Sequence, residues 1–285
     1  MKDNPFSRLA GAPQQNYPWT TSDELLYMSD SLSFDRIADK FDATRSYPDE
    51  TWSAVIEAIA GALDKEKRIL EAGVGTGRFA GPLQAKGFNV VGVDISARML
   101  EKAREKKVEN LFEADLRALP FRDHVFAQTI SIHVLHLIKG WKCALAEIAR
   151  VATDSFVSVG FMKEESPAEE IRRLYDEACK QLGFAVQHQG VRERDLPELL
   201  PPDSEKLIVT LERPVDVQKL IEDYESRTYS QEWSVPDDIH AQAIQAMREA
   251  CEGVETVMGK ERIVLLVWDM KRIRKFSKGE EPYRT

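Results

Sequence analysis

The stretch Arg68-Ile69-Leu70-Glu71-Ala72-Gly73-Val74-Gly75-Thr76-Gly77 decides the fold. A short run that is mostly apolar meets three alternating glycines, and residues of helical composition follow from Arg78 to Lys86, ended by Gly87. Such a pattern is a strand-to-helix turn whose backbone bends sharply and carries no side chain where a ligand would approach. Pro82 falls in the early turns of that helix, where a missing donor costs little. Downstream, Phe88 to Asp94 reads as a second strand, and Ser96 stands at a helix N-cap ahead of Met99, Leu100 and Ala103 on one face. A short strand near Leu111 follows, then a loop ending in Leu119-Pro120-Phe121. Phe126 to Ile132 is a fourth strand, Trp141 to Val151 a helix and Ser155 to Phe161 a fifth strand. Strands and helices alternating over short connections predict a parallel sheet covered on both faces.

Outward from this core the pattern changes. Residues 1 to about 20 are rich in Pro, Gly, Asn and Gln without a period, while 33–40 and 49–63 place apolar residues at helical spacing. After Phe161 the alternation breaks. Ser166-Pro167-Ala168-Glu169 has the form of a capping box opening a helix to about Leu182. Lys206 to Glu212 reads as a sixth strand, 216–224 and 236–250 as helices, and Ile263 to Met270 as a seventh strand. The expected fold is α/β: a Rossmann-like, seven-stranded, mostly parallel sheet with helices on both faces and a helical cap. Its expected parts are a mobile or helical extension (1–33), a ligand-binding core (34–162), a cap that includes strand six (163–255), the last core strand (256–274) and a disordered tail (275–285).

Composition narrows the setting. Lys and Arg number 39 against 48 Asp and Glu, a net charge of -9. That balance disfavours a phosphate-tracking surface and hence nucleic acid as partner. The densest basic cluster, Lys271-Arg272-Ile273-Arg274-Lys275, reads as a solvated strand end running into the tail. Cys143, Cys179 and Cys251 lie far apart, without metal-ligand or redox spacing, which argues for a reducing cytoplasm and against a disulfide framework or a metal site. The longest apolar run, Ile263 to Trp268, is too short to span a membrane, and the N-terminal MKDNPFSRLAGAPQQ lacks a signal-peptide core. The expectation is a cytoplasmic monomer or homodimer away from membranes.

Two nucleotide-type ligands compete for the glycine turn. Gly75, Gly77 and Ala80 can be fitted to a dinucleotide fingerprint. Asp94, ending the second strand, is the ribose acid in either case. Glu71 separates the two. A carboxylate two residues before the first glycine sits badly beside a pyrophosphate and well beside the ammonium and sulfonium of S-adenosylmethionine. Charge sign therefore selects S-adenosylmethionine, and a nicotinamide oxidoreductase becomes a distant alternative.

On these residues the chain resembles class I methyltransferases of the type 11 group over roughly residues 34 to 162. Glu71, Gly73, Gly75 and Gly77 match the first motif of that family, and Val93-Asp94-Ile95-Ser96-Ala97-Arg98-Met99-Leu100 its second. The resemblance implies that Asp94 holds the ribose hydroxyls and that Ile95 and Met99 flank the adenine; Met99 also reads as helix core. Ala114-Asp115-Leu116 is similar to the third element, implying that Asp115 accepts from the adenine amino group and that the Leu116 N–H meets the ring. A loop cap is the plainer reading of Asp115. Ser131-Ile132-His133-Val134-Leu135-His136-Leu137 and the helix containing Glu147 match the segment under the methionine part of the cofactor, which brings Ser131 into the site.

The chain also departs from the family. Ala127 stands where an acid is common, Leu137 replaces the second histidine of a frequent pair, and Ala152-Thr153-Asp154-Ser155 replaces a Pro-Gly-Gly turn. Arg45, in Phe41-Asp42-Ala43-Thr44-Arg45, pairs either with the cofactor carboxylate or with Asp42.

Methyl transfer from a sulfonium needs alignment, exclusion of water and, for some acceptors, removal of a proton; no metal is indicated. His133 or His136 is the candidate base, His133 before His136, against the plainer reading that both line the cofactor pocket or pack under the helix. Arg227, Tyr229 and Trp233 either shape an acceptor pocket in the cap or pack a helix junction. The acidic surface favours a small-molecule acceptor. The alternatives are methylation of RNA or protein, or a catalytically inactive regulatory protein that binds the cofactor.

Overall fold

The computed structural model describes Phe34, Ala38, Asp42, residues 47–186 and residues 188–280. The helix expected over 33–40 lies almost wholly outside the described residues, as do the 1–33 extension, Arg45 and the last five residues. The described chain divides into two compact units. Residues up to 160, with 189–208 and 264–280, form the first, and 161–188 with 209–263 form the second.

The first unit is built on the expected alternation. After helix α1 (Asp49–Ala62) come β1 (Arg68–Ala72), α2 (Ala80–Ala85), β2 (Asn89–Asp94), α3 (Ala97–Glu105), β3 (Leu111–Glu113), β4 (Phe126–Ile130), α4 (Trp141–Val151) and β5 (Ala152–Lys163). A short helix α6 (Leu196–Leu199) lies between α5 (Pro167–Gln181) and β6 (Ser204–Asp216); β7 (Thr256–Asp269) and α9 (Met270–Ser277) close the chain. The seven strands form one sheet in the order β3-β2-β1-β4-β5-β7-β6. β1 pairs with β2 and β4, β2 with β3, and β4 with β5, all in parallel. Ile69, Leu70, Val90, Val91 and Val93 are fully buried, as strands covered on both faces must be. Strand order reverses at β1, and right-handed crossovers in opposite directions place α2 and α3 on one face and α4 on the other.

Local chemistry fixes the element ends. The Ser96 hydroxyl accepts from the Met99 N–H at 3.1 Å, the expected N-cap of α3. Gly87 takes φ +88° just after α2. Ser166, by contrast, makes no side-chain cap bond, so the expected capping box does not form; Pro167 alone opens α5.

The C-terminus differs from expectation. β7 stops at Asp269, whose carboxylate accepts from the Lys271 N–H at 2.7 Å and caps a helix in place of a strand end and tail. Met270, Ile273 and Phe276 are buried on one helical face, and Phe276 packs against Trp141 of α4 with ring centroids 6.2 Å apart. Arg274 donates to the carbonyls of Ala149 and Ala152, and Arg272 to that of Pro201. The basic cluster is thus a helix in which two of the four cations, Arg272 and Arg274, bond carbonyl oxygens, which local charge density alone conceals.

In the second unit α5, α7 (Val217–Glu225) and α8 (Asp237–Ala250) enclose Tyr175, Cys179, Leu220, Ile221, Tyr224, Ala243, Ile244 and Met247. The Tyr175 hydroxyl meets His240 Nδ1 at 2.6 Å, so the polar atoms inside this cluster are paired. The expected 163–255 block is not one body, because 189–208 belongs with the first unit. Among the described residues no helix is long and apolar enough to cross a membrane.

Candidate functional site

The reversal of strand order at β1 puts the carboxyl ends of β1, β2 and β4 side by side, the place where open α/β sheets bind ligands. At the end of β1 the N–H groups of Gly73 and Val74 both donate to the Val93 carbonyl, at 2.8 and 2.9 Å, folding the chain back over β2. The Gly75 N–H donates to Asp94 Oδ2 at 2.8 Å, while Asp94 Oδ1 accepts from the Ser96 N–H at 2.9 Å. Asp94 therefore ties the glycine turn to the start of α3. A carboxylate oxygen can accept from more than one donor, so these bonds do not bar a ribose hydroxyl from Asp94.

The glycines are not equivalent. Gly73 has φ +80°, and a Cβ there would lie 2.2 Å from a methyl group of Val134, so the protein itself forbids a side chain. Gly75 has φ +53° and its added Cβ would meet only the Met99 methyl, at an ordinary 3.4 Å. Among these two, Gly75 is the one that leaves its surface open to a ligand. Gly77 closes the turn by donating to the Val74 carbonyl at 2.9 Å. The neighbouring Thr76 hydroxyl donates to Asp42 at 2.7 Å, and Lys106 pairs with the same carboxylate.

Glu71 is only 3% exposed, and its Oε2 has no hydrogen-bond partner among the described residues. Burial pushes its carboxyl well above the ordinary value; the Ala80 N–H offsets part of this, and the charge of Asp94 adds to the rise. A buried carboxyl oxygen left without a donor costs free energy unless a ligand supplies one. Two acids converge on this turn, whose Thr76 carbonyl also accepts from the Lys106 ammonium at 3.1 Å; the carboxyls suit an ammonium, a sulfonium and ribose hydroxyls better than a phosphate. The residues fit S-adenosylmethionine.

The other expected contacts are placed as follows. Ile95 is 39% exposed directly after Asp94, whereas Met99 is buried in the α3 core with its methyl facing Gly75. Leu116 is buried. Asp115 is held by Arg117, which donates its backbone N–H to Oδ1 at 2.8 Å and its guanidinium to both oxygens at 2.6 to 3.1 Å. The loop-cap reading of Asp115 thus has a partner that the sequence reading did not weigh, and an adenine amino group would have to share the carboxylate with it. Ser131 is fully buried; its carbonyl accepts from the Ser158 hydroxyl, and its own hydroxyl lacks a partner among the described residues.

After β4 the chain enters a tight turn. His133 is exposed, with φ +59°, and Leu135–Leu137 forms a single 3-10 turn. The rings of His133 and His136 lie perpendicular, 6.5 Å apart. A residue the motifs did not reveal, Glu193, organises this turn. Its Oε1 accepts from the N–H groups of Val134 and Leu135 at 2.6 and 2.9 Å, and its Oε2 lies 3.7 Å from His136 Nδ1. Burial alone would raise the Glu193 carboxyl. The His136 contact, the charges of His136 and His133 and the Val134 N–H outweigh burial and leave it below the ordinary value. Gly190 donates to the His136 carbonyl at 3.0 Å, and a Cβ at that position would stand 2.0 Å from the Leu135 oxygen.

A second brace fixes the loop before β4. Glu147 of α4 accepts from the Leu119 N–H at 2.9 Å, and Arg150 donates to the carbonyls of Leu119 and Phe121 and to Glu147 and Asp123. Ala127 is half-buried on β4. In the second unit, Arg227 donates to the carbonyls of Glu232 and Val235 and to Asp237, while the Trp233 indole donates to the Arg227 carbonyl at 2.8 Å. The Tyr229 ring lies 5.6 Å from that of Tyr224. These three residues brace their own loop, as the packing reading has it.

Residues 70–155 match the family described as "Methyltransferase domain". The chain is 34% identical over 108 residues to a malonyl-[acyl-carrier protein] O-methyltransferase from Erwinia pyrifoliae, covering 35% of this chain and 41% of the relative. It is 35% identical over 124 residues to a demethylmenaquinone methyltransferase from Renibacterium salmoninarum, covering 41% and 52%. The matches thus span about half the length of these relatives or less. The YcgJ protein from Bacillus subtilis aligns with 77% of this chain and 97% of its own, at 21% identity and a TM-score of 0.48. The acid-and-glycine motif of β1 and the acid of β2 thus fall on the segment that is similar to S-adenosylmethionine-dependent methyltransferase domains.

Proposed function

We propose that this chain transfers a methyl group from S-adenosylmethionine, by in-line displacement, to a small-molecule acceptor. One observation carries the reading: the buried oxygen of Glu71, without a partner among the described residues, beside Asp94 at the glycine turn. The cofactor supplies a methyl group already activated on a sulfonium, so the departing sulfur needs no proton.

The chain's own part is to bind and to orient. Asp94 accepts the ribose hydroxyls while its bonds to the Gly75 and Ser96 N–H groups keep it fixed. Glu71 takes the cationic end, Ile95 and Met99 bound the ring, and Ser131 offers its buried hydroxyl. Held alignment of this kind lowers a displacement barrier by several kcal/mol. His133, exposed at the end of β4, takes the acceptor's proton on a ring nitrogen when the acceptor carries one. Glu193 and Gly190 keep the backbone of that turn in place. The acidic surface and the small acceptor named in one relative's description, demethylmenaquinone, support a small-molecule acceptor.

Calorimetric titration with S-adenosylmethionine, S-adenosylhomocysteine and NADH in parallel tests the cofactor. Binding in the micromolar range (about -8 kcal/mol) is expected for the first two and none for NADH; NADH binding alone would replace the reading with an oxidoreductase. A screen with methyl-labelled cofactor then tests the acceptor. Label entering RNA or protein but no small molecule would overturn the acceptor class, and no transfer at all would leave a cofactor-binding protein without activity.

A further inference from the structure

Strand β6 closes one side of the sheet, with β7 as its one strand neighbour in the strand order. Pro214 near its end suits an edge, where a missing N–H interrupts no ladder. An edge strand of thirteen residues offers a row of N–H and C=O groups to another strand. Charged side chains on such edges commonly block pairing, so the placement of the charges decides what this edge favours.

The central residues are Glu205-Lys206-Leu207-Ile208-Val209-Thr210-Leu211-Glu212-Arg213. Read against itself in the antiparallel sense with Val209 at the centre, this segment is complementary throughout. Glu205 falls opposite Arg213, Lys206 opposite Glu212, Leu207 opposite Leu211, Ile208 opposite Thr210 and Val209 opposite its own copy. Neighbouring registers fail. A slip by one residue in one direction sets Glu205 against Glu212, and in the other Lys206 against Arg213. A slip by two sets Glu205 against Leu211, or Glu212 against Ile208. Like charges directly opposite destabilise a sheet, and charges opposite apolar residues lose their partner. Leu207 is 51% exposed, and the centred register covers it with Leu211 of the second copy on the same face.

We propose that β6 is a self-complementary edge on which two copies of this chain pair antiparallel about a two-fold axis at Val209, continuing the sheet from one copy into the other. The pairing is isologous: each pair off the axis occurs twice. Glu212 also bonds Lys260 at 3.1 Å within its own chain, so the register is selected by both charge pairs together.

Sedimentation velocity of the full chain over a dilution series should show a monomer–dimer equilibrium. R213E sets two like-charge pairs into the dimer and should raise the dissociation constant on the order of tenfold. The charge swap E205R/R213E should restore the dimer, an outcome that simple damage to the strand would not produce. Under oxidation V209C should form a covalent dimer, whereas L207C should not, since its mate would lie about 13 Å away along the strand. A chain that stays monomeric throughout overturns the proposal. So does a dimer indifferent to R213E, a swap that fails to restore it, or a covalent dimer through L207C.

Discussion

Glu71 in the first unit and Glu232 in the second share every property usually taken to mark a reactive acid. Both are almost fully buried, each has one oxygen without a partner, and burial raises both carboxyls, that of Glu232 to about 9. Their surroundings separate them. Glu232 closes its own turn: its carboxyl accepts from the Tyr229 N–H at 3.2 Å, its N–H donates to the Tyr229 carbonyl, and its carbonyl accepts from Arg227. Glu71 lies at the carboxyl end of a central strand, its backbone committed to the sheet and its side chain free to meet a ligand beside Asp94. A raised pKa records burial. Position at the strand ends, next to a second acid and an open glycine, is what makes a binding site.

The strongest challenge to this distinction is Gly75→Asp. It adds a third carboxylate at a position with φ +53° and should weaken cofactor binding by roughly 4 kcal/mol, about a thousandfold. Calorimetry reads the loss, and a thermal melt should show the fold retained; full affinity would show that the ligand does not lie against the turn.

Glu193 supplies a third case, a buried acid saturated with donors. Its carboxyl is held below the ordinary value, so its contribution to stability is present at neutral pH and is lost as pH falls through the acid range. Glu193→Gln should cost about 2 kcal/mol at pH 7 in denaturant melts, because two charge-assisted bonds weaken. Cofactor affinity should change far less than stability does, and a melt no different from wild type would show that the turn does not depend on Glu193.

Glu232→Gln should have the smallest effect on the folded structure and its cofactor site, because that acid is protonated in the fold at pH 7 and the amide leaves the charge there unchanged. With a folded value near 9 against an ordinary 4.5, Glu232 favours the native state at low pH. That stability declines as pH rises through this window, where the native state holds more protons than the unfolded chain. The substitution should flatten the alkaline decline seen in melts from pH 6 to 9 while leaving cofactor affinity unchanged. An alkaline limb as steep as wild type would mean that Glu232 is ionised in the fold.

The same contrast explains what could be read from the chain alone. The β1–β5 alternation, the Ser96 cap and the convergence of Glu71 with Asp94 are set by neighbours close in sequence or by strand periodicity, and those signals survive without coordinates. Glu193 left no signal, because it bonds Val134 from 59 positions away and lies in a segment with no period. The Met270–Ser277 helix was hidden because four cations within five residues outweigh the spacing of Met270, Ile273 and Phe276. The Arg117 clamp on Asp115 was local enough to be read, yet the motif drew attention to the acid and away from the cation two residues on. Gly73 follows the motif for a reason no motif states, the side chain of Val134 packed against it.

The most direct test of the central claim is calorimetric titration of S-adenosylmethionine into the wild-type chain and Glu71→Gln, each in two buffers of different ionisation enthalpy. Burial holds the Glu71 carboxyl above its ordinary value and a bound cation would draw it down, so wild-type binding should release protons and strengthen as pH rises through that interval. The glutamine variant should lose that release along with about 2 kcal/mol of affinity. Equal affinity and equal proton release in the two proteins would contradict the account, and the cofactor's cationic end would have to be sought elsewhere.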